Sequence, residues 1–167
     1  MMKKKCQMAV LGAALTFSSW AVAQENVGNK LITIAENTPY LDETLVQENV
    51  LKECTALGTT FSDSLAEQLT ASGFEVQKSA RLDITKGDVV QAQLVTMTSG
   101  GSIMFGKQMG GSVKVTIYHD GKVTGAKSFT RTSGGGMFGV YRGACSILGK
   151  VSNVLGQDVA KWVIEQK

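Results

Sequence analysis

Past the first thirty residues, apolar and polar positions alternate with two distinct periods, and their order predicts an α+β fold. Leu31-Ile32-Thr33-Ile34-Ala35 is short, apolar and β-branched, so it reads as a first strand. Pro39 interrupts it, and the acidic stretch from Asp42 to Glu53 is compatible with a short helix or with extended chain. Phe61, Leu65 and Leu69 recur every four residues and predict a helix. Thr60 and Asp63 have the spacing of a capping box at its start, and Gly73 stands in the C′ position at its end. Phe74-Glu75-Val76 then enters a second strand.

After the Lys86-Gly87-Asp88 turn the period changes to two. Val90, Ala92, Leu94 and Thr96 alternate with Gln91, Gln93 and Val95, as in a strand buried on one face. Val113, Val115 and Ile117 alternate with Lys114 and Thr116 in the same way. Asp120-Gly121 is a strong two-residue hairpin signal, and it predicts a partner strand from Lys122 to about Arg131. A last helix is expected from Gly143 to Glu165, with Ala144, Leu148, Val151, Leu155, Val159 and Trp162 along one side. This order predicts a two-layer α/β sandwich, mostly antiparallel, with two helices on one face. Residues 24–167 are expected to form a single domain.

The first twenty-three residues stand apart. Lys3, Lys4 and Lys5 precede an apolar run from Met8 to Phe17, and Ala21-Val22-Ala23 follows as a small-x-small pattern. This is the plan of a secretory signal peptide, with cleavage expected after Ala23 and export to the periplasm. The run is too short to span a membrane. A lipoprotein is not expected, because the acylated cysteine would have to follow the run at the cleavage site, whereas Cys6 precedes it.

Export changes the charge balance. The full chain of 167 residues holds 17 Lys plus Arg and 14 Asp plus Glu, and three of the lysines lie in the signal. The mature chain is therefore neutral, which argues against nucleic acid as a partner. Its charges are unevenly spread. Gln24 to Glu75 holds nine acids and two bases, whereas Val76 to Lys167 holds five acids and twelve bases.

Export also gives the cysteines a role. Cys54 and Cys145 are the two left after cleavage, and in an oxidising compartment such a pair is expected to form a disulfide. The loop it closes, about ninety residues, would stabilise the fold by about 4–5 kcal/mol in the chain-entropy model. Pairing within one chain and pairing between chains both remain open at this level.

Catalytic chemistry is poorly represented. Gly101-Ser-Ile-Met-Phe-Gly106-Lys107-Gln108 fits a phosphate-binding loop until its last residue, where Gln108 stands in place of the Ser or Thr that holds Mg²⁺. It also leads toward a strand, not the helix whose N-terminus would face phosphates. Gly134-Gly135-Gly136-Met137-Phe138-Gly139 has the dinucleotide spacing but lacks the second strand and the acidic residue that should follow. His119 is the single histidine, so no histidine pair is present to hold zinc. Neither a cofactor nor a metal is expected, and no catalytic residue is assigned. A hydrolase of envelope polymers using acidic residues, and a protein lying on the membrane surface, are the rival readings.

The distinctive feature is a repeated triplet. Met104-Phe105-Gly106 and Met137-Phe138-Gly139 each lie in a glycine-rich segment, and thirteen of the 19 glycines fall between Gly100 and Gly149. Large, adaptable apolar side chains on such loops suit a contact surface that must re-pack against a partner. The alternative is that the two loops pack on each other as a satellite cluster. Tyr141 and Arg142 follow at once and belong to residue types favoured at binding hot spots. Met104, Phe105, Met137, Phe138, Tyr141 and Arg142 are therefore the candidate partner-binding residues, and the expected partner is another cell-envelope protein.

Several segments together resemble a known group. Glu53-Cys54, Gly111-Ser-Val-Lys-Val, Asp120-Gly-Lys, Arg131-Thr-Ser-Gly-Gly-Gly-Met-Phe-Gly, Gly143-Ala-Cys145-Ser-Ile-Leu-Gly and Asp158-Val-Ala-Lys-Trp162 resemble short uncharacterised exported proteobacterial envelope proteins. The same pattern is more loosely similar to the small α/β domains of envelope assembly lipoproteins and of the N-terminal part of TolB. The resemblance implies a periplasmic α/β domain that binds proteins without catalysis.

Overall fold

A computed structural model describes residues 30–102, 106–134 and 143–167. The expected signal peptide and its cleavage site lie outside the described residues. The elements run in the order β1 (Leu31–Ala35), a 3-10 turn (Glu43–Leu45), α1 (Glu48–Glu53), α2 (Leu57–Ala71), β2 (Glu75–Ser79), β3 (Asp88–Ser102), β4 (Gly106–His119), β5 (Lys122–Gly134) and α3 (Ala144–Glu165).

The five strands form one sheet in the order β2-β1-β3-β4-β5. The long β3–β4 and β4–β5 ladders are antiparallel, whereas β1 runs parallel to both of its neighbours. The sheet is therefore mixed. Parallel pairing of β1 with β2 requires a crossover, and the segment holding α2 provides it. Beyond the end of β1, the Pro39–Leu41 segment continues the pairing. The Leu94 N–H donates to Pro39 O at 2.9 Å, and the Leu41 N–H donates to Leu94 O at 2.8 Å.

Both long helices cover one face, α2 over β1 and β2, and α3 over β3, β4 and β5. The periodic residues read from the sequence form the core between the layers. Phe61, Leu65, Leu69, Leu148, Leu155 and Val159 are fully buried against Ile32, Ile34, Leu94, Val113, Val115 and Ile117. The helices approach closely because their contact is built from small residues. Ser152 donates to Leu57 O at 2.6 Å, and Ser64 donates to Asn153 O at 2.8 Å. These bonds satisfy hydroxyls that burial would otherwise make costly.

Two local expectations are corrected. Helix α2 starts at Leu57, not near Thr60, and the capping box does not form. The Thr60 N–H is already bonded to Ala56 O, while Asp63 pairs with Lys78 of β2. The helix begins early because its first turn is packed against residues 37–38. At Gly58 an added Cβ would lie 2.3 Å from Thr38 O. In β3, Thr96 does not continue the inward series of Val90, Ala92 and Leu94. A register shift between Leu94 and Thr96 turns Met97 into the core instead, and Thr96 bonds across to Ser112 at 2.7 Å.

The acidic stretch resolves into the 3-10 turn and α1, with the Asp42 carboxylate accepting the Thr44 N–H at 2.9 Å. Gly73 has φ +87° and ends α2 as expected. Asp120 and Gly121 both have positive φ, the requirement of the tight turn joining β4 to β5.

Candidate functional site

Chemistry-bearing residues concentrate at the two opposite ends of the sheet. At one end, β3 passes to β4 through residues 103–105, and β5 passes to α3 through residues 135–142. Ser102 is in register with Gly106, and Gln108 with Gly134, so both connections leave from adjoining strand ends. The α1 cap residue braces this region, since Gln47 Oε1 accepts the Ser99 N–H at 2.9 Å. Met104, Phe105, Met137, Phe138, Tyr141 and Arg142, the candidate partner-binding residues, lie outside the described residues.

Cys54 and Cys145 are joined within the chain, with their Cα atoms 5.1 Å apart. Cys54 caps α1, and Cys145 lies in the first turn of α3. The bond joins the start of α3 to the end of α1, which packs against the central strand β3.

The opposite end, around the β4–β5 turn, holds a charged cluster that sequence spacing did not reveal. Asp88 Oδ1 accepts from Lys167 Nζ at 2.5 Å and from His119 Nδ1 at 2.7 Å. Burial alone would raise the Asp88 carboxyl. The hydrogen bonds and charges of Lys167 and His119 outweigh it and hold the group below the usual carboxylate range. Asp120 Oδ1 accepts the Gly87 N–H at 2.7 Å, which locks the β4–β5 turn to the turn before β3. His119 is exposed, yet its orientation is set by Asp88.

An imidazole held by a carboxylate is part of a general-base arrangement, but the other part is lacking among the described residues. His119 Nε2 faces Asp120 Oδ2 at 3.6 Å, not a hydroxyl or a thiol. The described residues contain no group of three or more His, Cys, Asp or Glu placed to hold a metal ion. Gly101 and Gly106 of the phosphate-loop pattern lie in the paired strands β3 and β4, so that segment does not open a helix. The dinucleotide-like segment lies outside the described residues apart from Gly134.

One further polar group has no place in either cluster. The Tyr40 hydroxyl is buried without a hydrogen-bond partner among the described residues, and burial, with a smaller contribution from Glu43, pushes its pKa up. The uneven charge distribution is offset locally. Lys78 and Asp63 join the basic and acidic parts of the chain, while Arg131 makes a two-pronged pair with Asp158 at 2.5 and 2.8 Å inside the basic part.

Fold and site define an α+β protein whose five-stranded mixed sheet is backed on one face by two long helices and a disulfide. No family model matches the sequence, and no curated protein is significantly similar to it. Solved structures do share the architecture. Protein XCC0632 from Xanthomonas campestris, of the family DUF330, is similar with a TM-score of 0.58 at 11% identity, over 87% of this chain and 89% of that one. An uncharacterized protein is similar with a TM-score of 0.51 at 15% identity, over 81% of this chain and 92% of that one. Lipoprotein GNA1162 from Neisseria meningitidis gives a TM-score of 0.48 at 12% identity, over 78% and 98%. At such identities the first two likenesses establish a shared fold alone. Among the described residues, no helix is long and apolar enough to cross a membrane.

Proposed function

We propose that the mature chain is a non-catalytic binding or assembly accessory of the cell envelope, exported to the periplasm, that contacts another envelope protein through its two Met-Phe-Gly segments. The observation that carries this reading is the strand register. Ser102↔Gly106 and Gln108↔Gly134 bring together the chain ends from which both triplets depart. The described strand ends that flank two apolar pairs far apart in sequence therefore adjoin, as a shared contact patch requires. The intrachain disulfide supports the compartment, because such bonds persist where thiols are oxidised.

Photo-cross-linking in cells from positions 105 and 138 tests the proposal. The expected result is one envelope protein captured from both positions, with capture abolished by Phe105→Ser combined with Phe138→Ser in a version carrying the cross-linker at position 141. Unchanged capture in that double variant would exclude the two segments as the contact.

A further inference from the structure

The outer edge of the sheet, on β5, has features that the proposed loop contact does not use. Strand β5 has β4 on one side and no strand on the other among the described residues. Past a register shift near its start, it pairs with β4 without interruption from Gly125 to Gly134. It contains no proline, the residue that would bar a further strand. The opposite edge, β2, is only five residues long.

Exposed edges are commonly protected by charged side chains. On β5 the charges are all basic: Lys122 stands at its start, and Lys127 and Arg131, both exposed, are engaged with neighbouring groups. Lys127 lies over the Phe129 ring at 5.1 Å, and Arg131 is bound to Asp158 of α3. Cross-strand register with Val115 and Gly111 puts both on the helix-covered face. The opposite face of the strand presents Ala126, Ser128, Thr130 and Thr132, which are small and uncharged.

Beneath this edge a groove of about 340 Å³ runs between β5 and α3. Its floor is the edge-to-face pair of Phe129 and Trp162, with ring centres 5.8 Å apart. Three cations, Lys127, Arg131 and Lys161, line it together with two acids, Asp158 and Glu165; Asp158 is taken up by Arg131, and neither Lys127 nor Lys161 has a carboxylate at salt-bridge distance among the described residues. Lys114 adds another exposed cation on the far face, beside Ser128.

From this geometry we infer that β5 accepts an extended, acidic segment of a partner protein as a sixth strand. Backbone bonding would supply the pairing, and alternate side chains would enter the groove. A carboxylate there meets Lys127 and Lys161, and an apolar side chain meets Phe129 and Trp162. A second copy of this chain fits poorly. Residues Lys122 to Gly134 include no acid, so two β5 strands side by side would oppose only like charges.

The test uses the full mature, disulfide-bonded chain and a blocked peptide, Thr-Glu-Thr-Phe-Thr-Glu-Thr, with its Lys-for-Glu counterpart as control. Binding is followed through backbone amide shifts and hydrogen exchange. The acidic peptide is expected to perturb and protect the amides from Gly125 to Arg131. Lys127→Glu with Lys161→Glu, both at the surface, should weaken it about tenfold and favour the basic peptide. Phe105→Ser with Phe138→Ser should leave peptide binding unchanged, so failure of the loop contact and failure of the edge are separately visible. No perturbation of β5 by the acidic peptide would overturn the inference, as would equal binding of both peptides. Protection of β5 that grows with protein concentration in the absence of peptide would overturn it in favour of self-pairing.

Discussion

Gly156 of α3 lies against Phe61 of α2 so closely that an added Cβ would stand 2.8 Å from the Phe61 carbonyl oxygen. The next neighbours, Ser64 Cβ at 2.9 Å and Leu65 N at 3.1 Å, belong to the same helix turn and are equally fixed. Glycine here sets the distance between the two helices.

Gly156→Ala therefore tests the helical layer. Alanine gains about 1 kcal/mol of helix propensity, but overpacking a rigid contact costs about 1–3 kcal/mol, because only a shift of one helix can relieve it. A net loss of up to about 2 kcal/mol is expected, read as a lower denaturation midpoint with an unchanged slope. The nearby Gly149→Ala is the control. Nothing lies within 4 Å of its added Cβ, and it should be neutral or stabilising.

The bond between Cys54 and Cys145 spans 91 residues of sequence. Cys54→Ser with Cys145→Ser is expected to cost about 2–5 kcal/mol, measured by urea unfolding of the oxidised protein and the double variant. The parent chain should run as a monomer on denaturing gels with and without reductant, since the pair forms inside one chain.

Acid should weaken the Asp88 cluster in a defined window. The Asp88 carboxyl is held below its ordinary value of 3.8 in the folded protein. Its contribution is fully present above the unfolded pKa, near pH 4, and is lost as pH falls through the lower folded pKa. The stability difference between the parent and Asp88→Asn should be constant at neutral pH and shrink on acidification below about pH 4. Urea titrations across that range would measure it, and a difference that grew toward acid would contradict the assignment.

Asp120 serves the hairpin in two ways. It tolerates φ 47°, and its carboxylate accepts the Gly87 N–H from the neighbouring turn. Asp120→Ala removes both and should cost roughly 1–2 kcal/mol, with faster exchange of the Gly87 amide. Asp120→Asn keeps the acceptor and the left-handed tolerance, so it should lose much less.

The elements were legible in the sequence because local patterns encode them. Phe61, Leu65 and Leu69 on one face, the alternation of Val113, Val115 and Ile117, and the Asp120-Gly121 turn report a period or a backbone angle that few residues on either side decide. The cysteine pair was legible for another reason: with two thiols beyond the first twenty-three residues, counting alone suggests the partner. The candidate site was only partly readable. Asp88 and His119 are joined by strand register and Lys167 reaches them from beyond the end of α3, and no spacing rule relates the three.

Composition and periodicity by themselves determined that this chain is an α+β protein with a helical layer on one sheet face and an available disulfide. Only the tertiary structure decided that β1 lies between β2 and β3 in parallel, that α2 begins at Leu57, and that β5 stands at an edge of the sheet among the described residues, with Lys127 over Phe129. The physical reason is range. Side-chain period and turn chemistry act over a few residues, whereas strand order, helix starts under packing and ion clusters depend on contacts between segments tens of residues apart.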